Sequence, residues 1–524
     1  MMKIFGKKAK TLLAVFALAV AVSGCGSSED SAAKDDTLVF GVTNFADSME
    51  TTQNYFGWEV MRRGAGECLT SFDEKMNVVP CVAESWKVSD DKLSWTFKIR
   101  DIKFSNGNPV TGEAVKKSIE RVFEKAARAR ALFEPVAVTA NGQEVTITTD
   151  RPVATMPGIL GDPLFIIVDV TEDGKRDFAK EGPITTGPYA FKSFSKEESV
   201  LVNNKYYWNG EVPYKNVIFK TIDDPNTRAM ALQNGEIDVA VNIAAGDMQL
   251  FEDESKYNVS TISSSRDVLV RINQKPDRIL HDKKVRQALI SCLDRETYCN
   301  VLLQGTFVPG SAMLPPSLDY DFENIKDPNS YNVERAKQLL REAGWQDTNG
   351  DGIVDKDGKN LELDFVFYSG RAELPLFAEA TQSDAQKIGI KVNLKNVDYN
   401  VLYGIGVSGD YDLLISNILT CQAGDPEVFL NMYWHSNDNG KFPENGSGYS
   451  SNKFDGLSAQ LAMEFDPAVR RQLIIEMQKT LLDDAATFVF GYPKTNMISN
   501  KSVINAKIQP CDFYYLTKDF APAK

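Results

Sequence analysis

The sequence predicts an α/β protein built as two lobes. Strand-like and helix-like segments alternate from Leu38 to the end of the chain with short connections, the pattern of layered sheets and helices. The chain has 524 residues, too many for one hydrophobic core, so two or three domains are expected. No internal repeat is visible, which sets repeat architectures aside.

In the first half, residues 95–99 (WTFKI) alternate as a half-buried strand, and Phe104 leads into a Ser-Asn-Gly-Asn-Pro turn. Thr111 is placed to cap a helix over 112–126, with Val115, Ile119, Val122 and Ala126 on one face. Strands follow at 144–150, 189–194, 199–204 and 216–222. Asp224-Pro225 opens a helix that Gly235 is placed to end, and 236–241 is the next strand. In the second half, residues 285–303 (VRQALISCLDRETYCNVLL) read as one helix. Asn332 caps a helix over 333–343 with Gly344 after it, and a helix near 373–388 stops at Gly389. Residues 390–397 and 411–418 are strands, the second running into the loop TCQAGDP. Asp466-Pro467 opens the last long helix.

The N-terminus carries a different signal. An apolar run from Leu12 to Val22 follows Lys3, Lys7, Lys8 and Lys10, and is too short for the roughly 20 residues that span a bilayer. This is the pattern of a secretory signal peptide, residues 1–24. Val22-Ser23-Gly24-Cys25 resembles the bacterial lipobox, which implies cleavage before Cys25 and lipid on that cysteine, with residues 25–36 as a flexible tether. Cleavage removes four lysines and no acids, taking the net charge from −14 to −18. So acidic a chain is a poor partner for nucleic acid or anionic lipid.

Catalytic signatures are absent from the sequence: no GxSxG, no HExxH and no Gly-rich phosphate loop. Six cysteines follow Cys25 without a CxxC, and a Cys68–Cys81 bridge is one open pairing. Cys292 and Cys299, seven residues apart on one helix, would lie about 10.5 Å apart and beyond disulfide reach. Of the two histidines, His281 is expected at a helix start and His435 is the one that would face a cleft. Asp347, Asn349, Asp351 and Asp355 match the opening of a calcium loop, but position 12 is Gly358 and a strand follows, so a tight Asp/Asn/Gly turn is the competing reading.

Several segments in order carry a family resemblance. They are TTGPYAFKSF…LVNNKYYWNG…VIFKTIDDPNTRAMALQNGEIDVA, VRQALISCLDRETY, ERAKQLLREAGW, and a GDP loop after a buried strand. Their order resembles the peptide/nickel class of extracellular solute-binding proteins that serve bacterial ABC importers, from about Leu38 to Asp519. The resemblance implies a periplasmic-binding-protein-like type II fold whose lobes are joined by hinge strands at 267–274 and 488–496. Lobe 1 would be 37–270 plus 493–524 with an extra subdomain at about 70–184, and lobe 2 would be 271–492. It implies a monomer that is not an enzyme, tethered by lipid outside the cytoplasmic membrane, that hands a small solute or peptide to ABC permease subunits and needs no cofactor. A secreted hydrolase or a structural surface protein is the opposed class; turnover of a substrate panel would reveal the first, failure to close on any ligand the second.

The resemblance also locates ligand residues. Peptide-binding relatives hold the peptide ammonium with a carboxylate three residues before the acidic-Pro pair; here that position is Gln422, ahead of Asp425-Pro426. The neutral amide disfavours ordinary peptides. The region 113–170 is more similar to the nickel-metallophore branch, in which arginines hold a chelator's carboxylates. Arg128 and Arg130 fall at that arginine position. The branch's second arginine falls near Asp162 and is missing, and its metal-facing histidine falls near Asp438, three residues after His435. Tyr55, Trp58, Tyr433 and Trp434 complete the expected cleft as stacking surfaces, and a nickel chelate is the expected ligand, a short peptide the alternative.

Overall fold

The computed structural model describes residues 36–126, 128–437 and 440–523; the leader, Cys25 and Asp438 lie outside the described residues. Its spine is one long strand, Thr487–Asn500, whose two halves serve different lobes. The C-terminal half pairs antiparallel with Tyr257–Ser263 and Val239–Val241. The N-terminal half pairs antiparallel with Arg266–Ile272 and Phe307–Pro309. Around it a continuous sheet runs from Tyr189–Phe194 through Glu198–Asn203, Asn216–Thr221 and Thr37–Val42 in the first lobe. It ends with Leu413–Leu419, Glu362–Phe367 and Lys391–Asn396 in the second. Each half contains parallel pairs next to antiparallel ones: Thr37–Val42 lies parallel to Asn216–Thr221, and Glu362–Phe367 lies parallel to Lys391–Asn396.

The chain therefore changes lobe twice, at Ser264–Ser265 and near Tyr492–Pro493. The first crossing lies upstream of the 267–274 stretch expected from sequence, and Arg266–Ile272 is a fully buried strand of the second lobe's sheet. Both crossings are tied: the Ser264 N–H donates to the Pro493 carbonyl at 3.0 Å and the Ser265 N–H to the Pro510 carbonyl at 2.9 Å.

The expected caps form because short polar side chains can replace the missing helical acceptor. Thr111, Asp224, Asn332 and Asp466 each accept from a backbone N–H in the first turn of their helices. Gly235, Gly344 and Gly389 end theirs with positive φ, where a Cβ is penalised. The single helix expected over 285–303 is instead broken. Lys283–Ser291 ends at Cys292, and Asp294 caps a new start by accepting from Thr297, so the carboxylate that reads as a helical surface residue acts as a stop and restart. His281 ends a 3-10 turn, its Nδ1 2.8 Å from the Gln274 carbonyl, and Asp282 caps the helix.

Packing follows the sheet. The first-lobe core gathers Phe40, Phe219, Tyr189 and Trp58 with Phe513 and Phe520 from the returning C-terminal segment. A separate core around Phe97, Ile119, Val122 and Phe165 lies under the four-stranded sheet of Ala83–Val88, Ser94–Ile99, Glu144–Thr149 and Pro135–Asn141. The second lobe buries Val268, Val270, Phe365 and Phe377 in one cluster, and Leu269, Phe429, Trp434 and Tyr492 in another. Among the described residues no helix is long and apolar enough to cross a membrane.

Candidate functional site between the lobes

The first-lobe wall begins at helix Phe56–Arg62. Tyr55 precedes it and meets the Trp58 ring edge-on at 5.4 Å, while Trp58 packs on Phe513 at 4.9 Å. The Arg128 guanidinium covers the Tyr55 ring at 4.5 Å and stands 3.5 Å from Asp162. Asp162 is the cap of the Pro163–Phe165 turn, accepting from Leu164, so it gives Arg128 charge but no hydrogen bond. Nε and Nη2 of Arg128 are buried and have no hydrogen-bond partner among the described residues. Arg130 is exposed and paired with Glu134, a solvated helix-end charge.

The floor is a network of buried charges. Asp512, on the C-terminal segment, receives Arg62 Nη2 at 2.6 Å and Arg266 Nη2 at 3.3 Å. Burial pushes its carboxyl up, but the Arg266, Arg62 and Arg371 guanidiniums outweigh this and hold it well below the usual carboxylate range. Glu59 is likewise bridged by Arg62 and Arg63. Burial disfavours its ionised form, and the two arginines restore it, so its pKa falls.

The second-lobe wall comes from residues far apart in sequence. Arg271 covers the Tyr433 ring at 4.8 Å and donates through Nη1 to the Glu444 carbonyl at 3.3 Å. A Cβ on Gly406 would stand 2.8 Å from both terminal nitrogens of Arg271, so that glycine leaves the guanidinium its path. Arg371 lies 6.0 Å from the Phe45 ring of the first lobe and has no hydrogen bond or ion pair with any described residue. Tyr399, 60% exposed, stacks edge-on against Tyr368 at 5.3 Å. Tyr55 ties the walls together electrostatically. Burial pushes its phenol up to about 12 against the opposing pull of Arg128, with Glu444 and Tyr399 adding to the rise, although 42% of the residue is exposed. An exposed side chain inside so much protein is the signature of a cleft.

Other residues expected at the cleft are placed elsewhere. Trp434 is 1% exposed and packs on Phe429 and Tyr433 inside the second-lobe core. Asp425 is committed to Arg470, which it receives at 3.0 and 2.9 Å and which also reaches Glu427. His435 stacks on Phe442 at 4.1 Å and has Nδ1 3.0 Å from the Ser436 carbonyl and 3.6 Å from Asp455. Gln422 is half-buried and makes no hydrogen bond to a described residue.

The calcium-like loop spends its oxygens on itself. Asp347 accepts from Gly350 and Gly352, Asn349 from Asp351, Asp351 from Ile353, and Asp355 from Thr348. That is the tight-turn reading, with the oxygens diverging. Among the described residues no three His, Cys, Asp or Glu side chains converge as a metal site. The six described cysteines are buried and free, so Cys68 and Cys81 are not bridged.

Comparison with known proteins places the chain. The signature of Bacterial extracellular solute-binding proteins, family 5 Middle, matches residues 77–441. The chain belongs to this family. The Nickel-binding protein NikA of Staphylococcus aureus is 26% identical over 516 residues, 97% of this chain and 98% of that protein. The structure of the oligopeptide-binding protein AppA from Bacillus subtilis in complex with a nonapeptide superposes with a TM-score of 0.78 at 26% identity, over 93% of this chain and 99% of that one. NikA from Brucella suis in complex with Fe(III)-EDTA has a TM-score of 0.84 at 24% identity, over 93% and 100%, a likeness of fold. As a family 5 binding protein the chain works outside the cytoplasm with an ABC permease, and it has the family's two-lobe α/β fold.

Sequence reasoning missed Arg271, Arg371 and Glu444. Each stands in a strand or loop with no motif around it. The one readable hint was a pair of arginines, Arg62-Arg63, with a single acid, Glu59, inside the largely apolar GWEVMRRGAG, which marks charge that must be paired internally.

Proposed function

We propose that this family 5 protein captures a small carboxylate-bearing organic solute between its lobes, with a nickel chelate the leading case, and delivers it to its permease as a monomer anchored through lipid on Cys25. The carrying observation is Arg128, a guanidinium over the Tyr55 ring that faces Asp162 at 3.5 Å and whose buried Nε and Nη2 make no hydrogen bond to a described residue. A planar fork in that state is matched by a carboxylate. Arg371 offers a second uncommitted guanidinium from the opposite lobe. With no convergent metal ligands among the described residues, a metal would enter already wrapped, its chelator's carboxylates facing the arginines. Staphylococcus aureus NikA has been crystallised with Ni(L-His)2, in keeping with that mode. The peptide alternative is weakened by Gln422, whose amide replaces the charge a peptide ammonium would need.

Titration calorimetry on residues 26–524 tests this with Ni(II) alone, Ni(II) with L-histidine, and a tripeptide. The expected result is binding of the histidine chelate only, weakened at least about tenfold by Arg128→Ala, which corresponds to about 1.4 kcal/mol. Tight binding of the tripeptide without the chelate would overturn the proposal.

A further inference from the structure

The lobes also meet away from the cleft wall, at the four-stranded sheet of the first lobe. Phe465 belongs to the second lobe, in the short connection between helices Asn452–Met463 and Pro467–Asp483. Its ring packs on the first-lobe core around Phe97 and Ile119, stacked on Trp95 with centroids 6.3 Å apart and planes 22° from parallel. The Lys92 ammonium lies over the same ring at 5.3 Å. Both first-lobe partners are held in place. Trp95 is 7% exposed and donates its indole N–H to the Val153 carbonyl at 3.0 Å. Lys92 takes a positive φ in the turn between Ala83–Val88 and Ser94–Ile99, its N–H donating to the Ser89 carbonyl at 3.0 Å. The connection carrying Phe465 is fixed from its own side: the Glu464 carboxylate accepts from the Phe465 and Asp466 N–H groups, each at 2.8 Å, and Arg470 donates to the Glu464 carbonyl at 2.9 Å. Two more second-lobe residues join the same first-lobe core, Ala423 from the loop after Leu413–Leu419 and Val428 from helix Glu427–Trp434. The backbones touch there, since a Cβ on Gly158 would overlap the Ala423 carbonyl.

Apolar surface of one lobe buried in the core of the other is favourable only while the lobes keep this relation. A hinge motion at the two crossings, Ser264–Ser265 and Tyr492–Pro493, would return Phe465, Val428 and the face of Trp95 to water. We infer that the four-stranded sheet of the first lobe is a clasp: Trp95 and Lys92 receive Phe465 and, with the Ala423 and Val428 contacts, hold the lobes closed without help from a ligand. The crossings set the axis of motion and the clasp sets the resting position. A closed form populated in advance leaves an arriving solute less of the closure to drive, which raises its apparent affinity through residues outside the cleft wall. Nothing in the inference depends on which solute is bound.

The test measures the separation of the lobes in ligand-free residues 26–524. Spin labels on Glu197→Cys in the first lobe and Glu334→Cys in the second, both exposed positions, report it by pulsed dipolar spectroscopy; the six described native cysteines are buried. The otherwise unchanged protein is expected to show one predominant distance, that of the structure. Phe465→Ala should add a longer one, with the closed-to-open ratio falling at least about fivefold, the scale of losing a half-buried phenyl ring. Lys92→Gly, which suits the turn's positive φ and alters an exposed residue, should shift the ratio the same way by less, and it carries the test alone if Phe465→Ala does not fold. The double variant should open no further than Phe465→Ala, because the ammonium has lost its ring. A ring that served only its own lobe would lower the melting temperature and leave the distances unchanged. That result, opening effects that add in the double variant, or a protein already open before substitution would each overturn the inference.

Discussion

Asp267 offers the sharpest test of how charge is handled in this molecule. It lies in the strand Arg266–Ile272, is 0% exposed, and neither carboxylate oxygen has a hydrogen-bond partner. Burial pushes its pKa well above the ordinary value; the adjacent Arg266 charge opposes this and loses. Tyr433 and Tyr492 are the other titratable groups that feel it, and both stay neutral through this range because burial raises them too. In the unfolded chain an aspartate titrates near 3.9. The folded pKa is higher, so the native state holds a proton the unfolded state releases. The stability this group contributes is complete below about pH 4 and is lost as pH rises toward the folded pKa, at about 1.4 kcal/mol per pH unit within that window.

Asp267→Asn keeps the shape and removes the proton. The expected outcome is equal stability of variant and wild type near pH 4 and a growing advantage for the variant above it. With an m-value near 3 kcal/mol/M, the urea midpoints should separate by roughly 0.5 M per pH unit. Urea unfolding at half-unit steps from pH 4 to 8 reads this directly, and taking the difference cancels groups common to both proteins. A difference that stays flat with pH would refute the reasoning. So would a variant weaker by about 3–5 kcal/mol at neutral pH, the result of breaking a paired buried charge.

Three further outcomes follow from particular contacts. A Cβ at Gly158 would overlap the Ala423 carbonyl, so Gly158→Ala should push the loop 420–426 off the first lobe, lowering stability by about 1–3 kcal/mol and raising the radius of gyration in solution scattering. Asp425→Ala leaves Glu427 as the remaining carboxylate on Arg470, beside the Leu461 and Glu464 carbonyls; it should cost about 3 kcal/mol in urea unfolding, while ligand affinity stays within about twofold because Asp425 is spent inside the second lobe. Millimolar calcium should leave the melting temperature unchanged, since the loop 347–355 has turned its oxygens to backbone N–H groups and linkage needs a bound state.

Much of this architecture is legible in the chain because it is local. Thr111, Asp224, Asn332 and Asp466 announce helix starts through one side-chain hydrogen bond each, and Gly235, Gly344 and Gly389 announce ends through φ. Asp294 misled for the same reason in reverse: periodicity continues across it, but its cap bond to Thr297 outweighs continuity. The cleft is legible only in part. Family likeness points to Arg128 and stacking chemistry to Tyr55 as expected cleft residues, whereas Arg271, Arg371 and Glu444 come from a strand and two loops that meet only after the sheet has formed. Trp434, expected as a stacking surface, packs as core, as large aromatics commonly do.

The charge distribution gives these separate observations a common sense. The chain carries a net charge of −14, yet Arg62, Arg63, Arg266 and Arg371 gather at the cleft floor around Glu59 and Asp512. Arg62 is fully engaged there and Arg266 joins it through Nη2, linking the first-lobe helix, the C-terminal segment and the strand just after the Ser264–Ser265 crossing into one unit. Such a unit sets the lobes' relation at the hinge, while Arg128 stands apart over Tyr55 on the first-lobe wall. An acidic exterior repels anions at long range but is screened beyond about 8 Å at physiological salt, whereas a cationic cleft between low-dielectric walls keeps its field. The overall negative charge and the arginine cluster at the cleft floor thus act over different ranges, the first screened by salt and the second much less so.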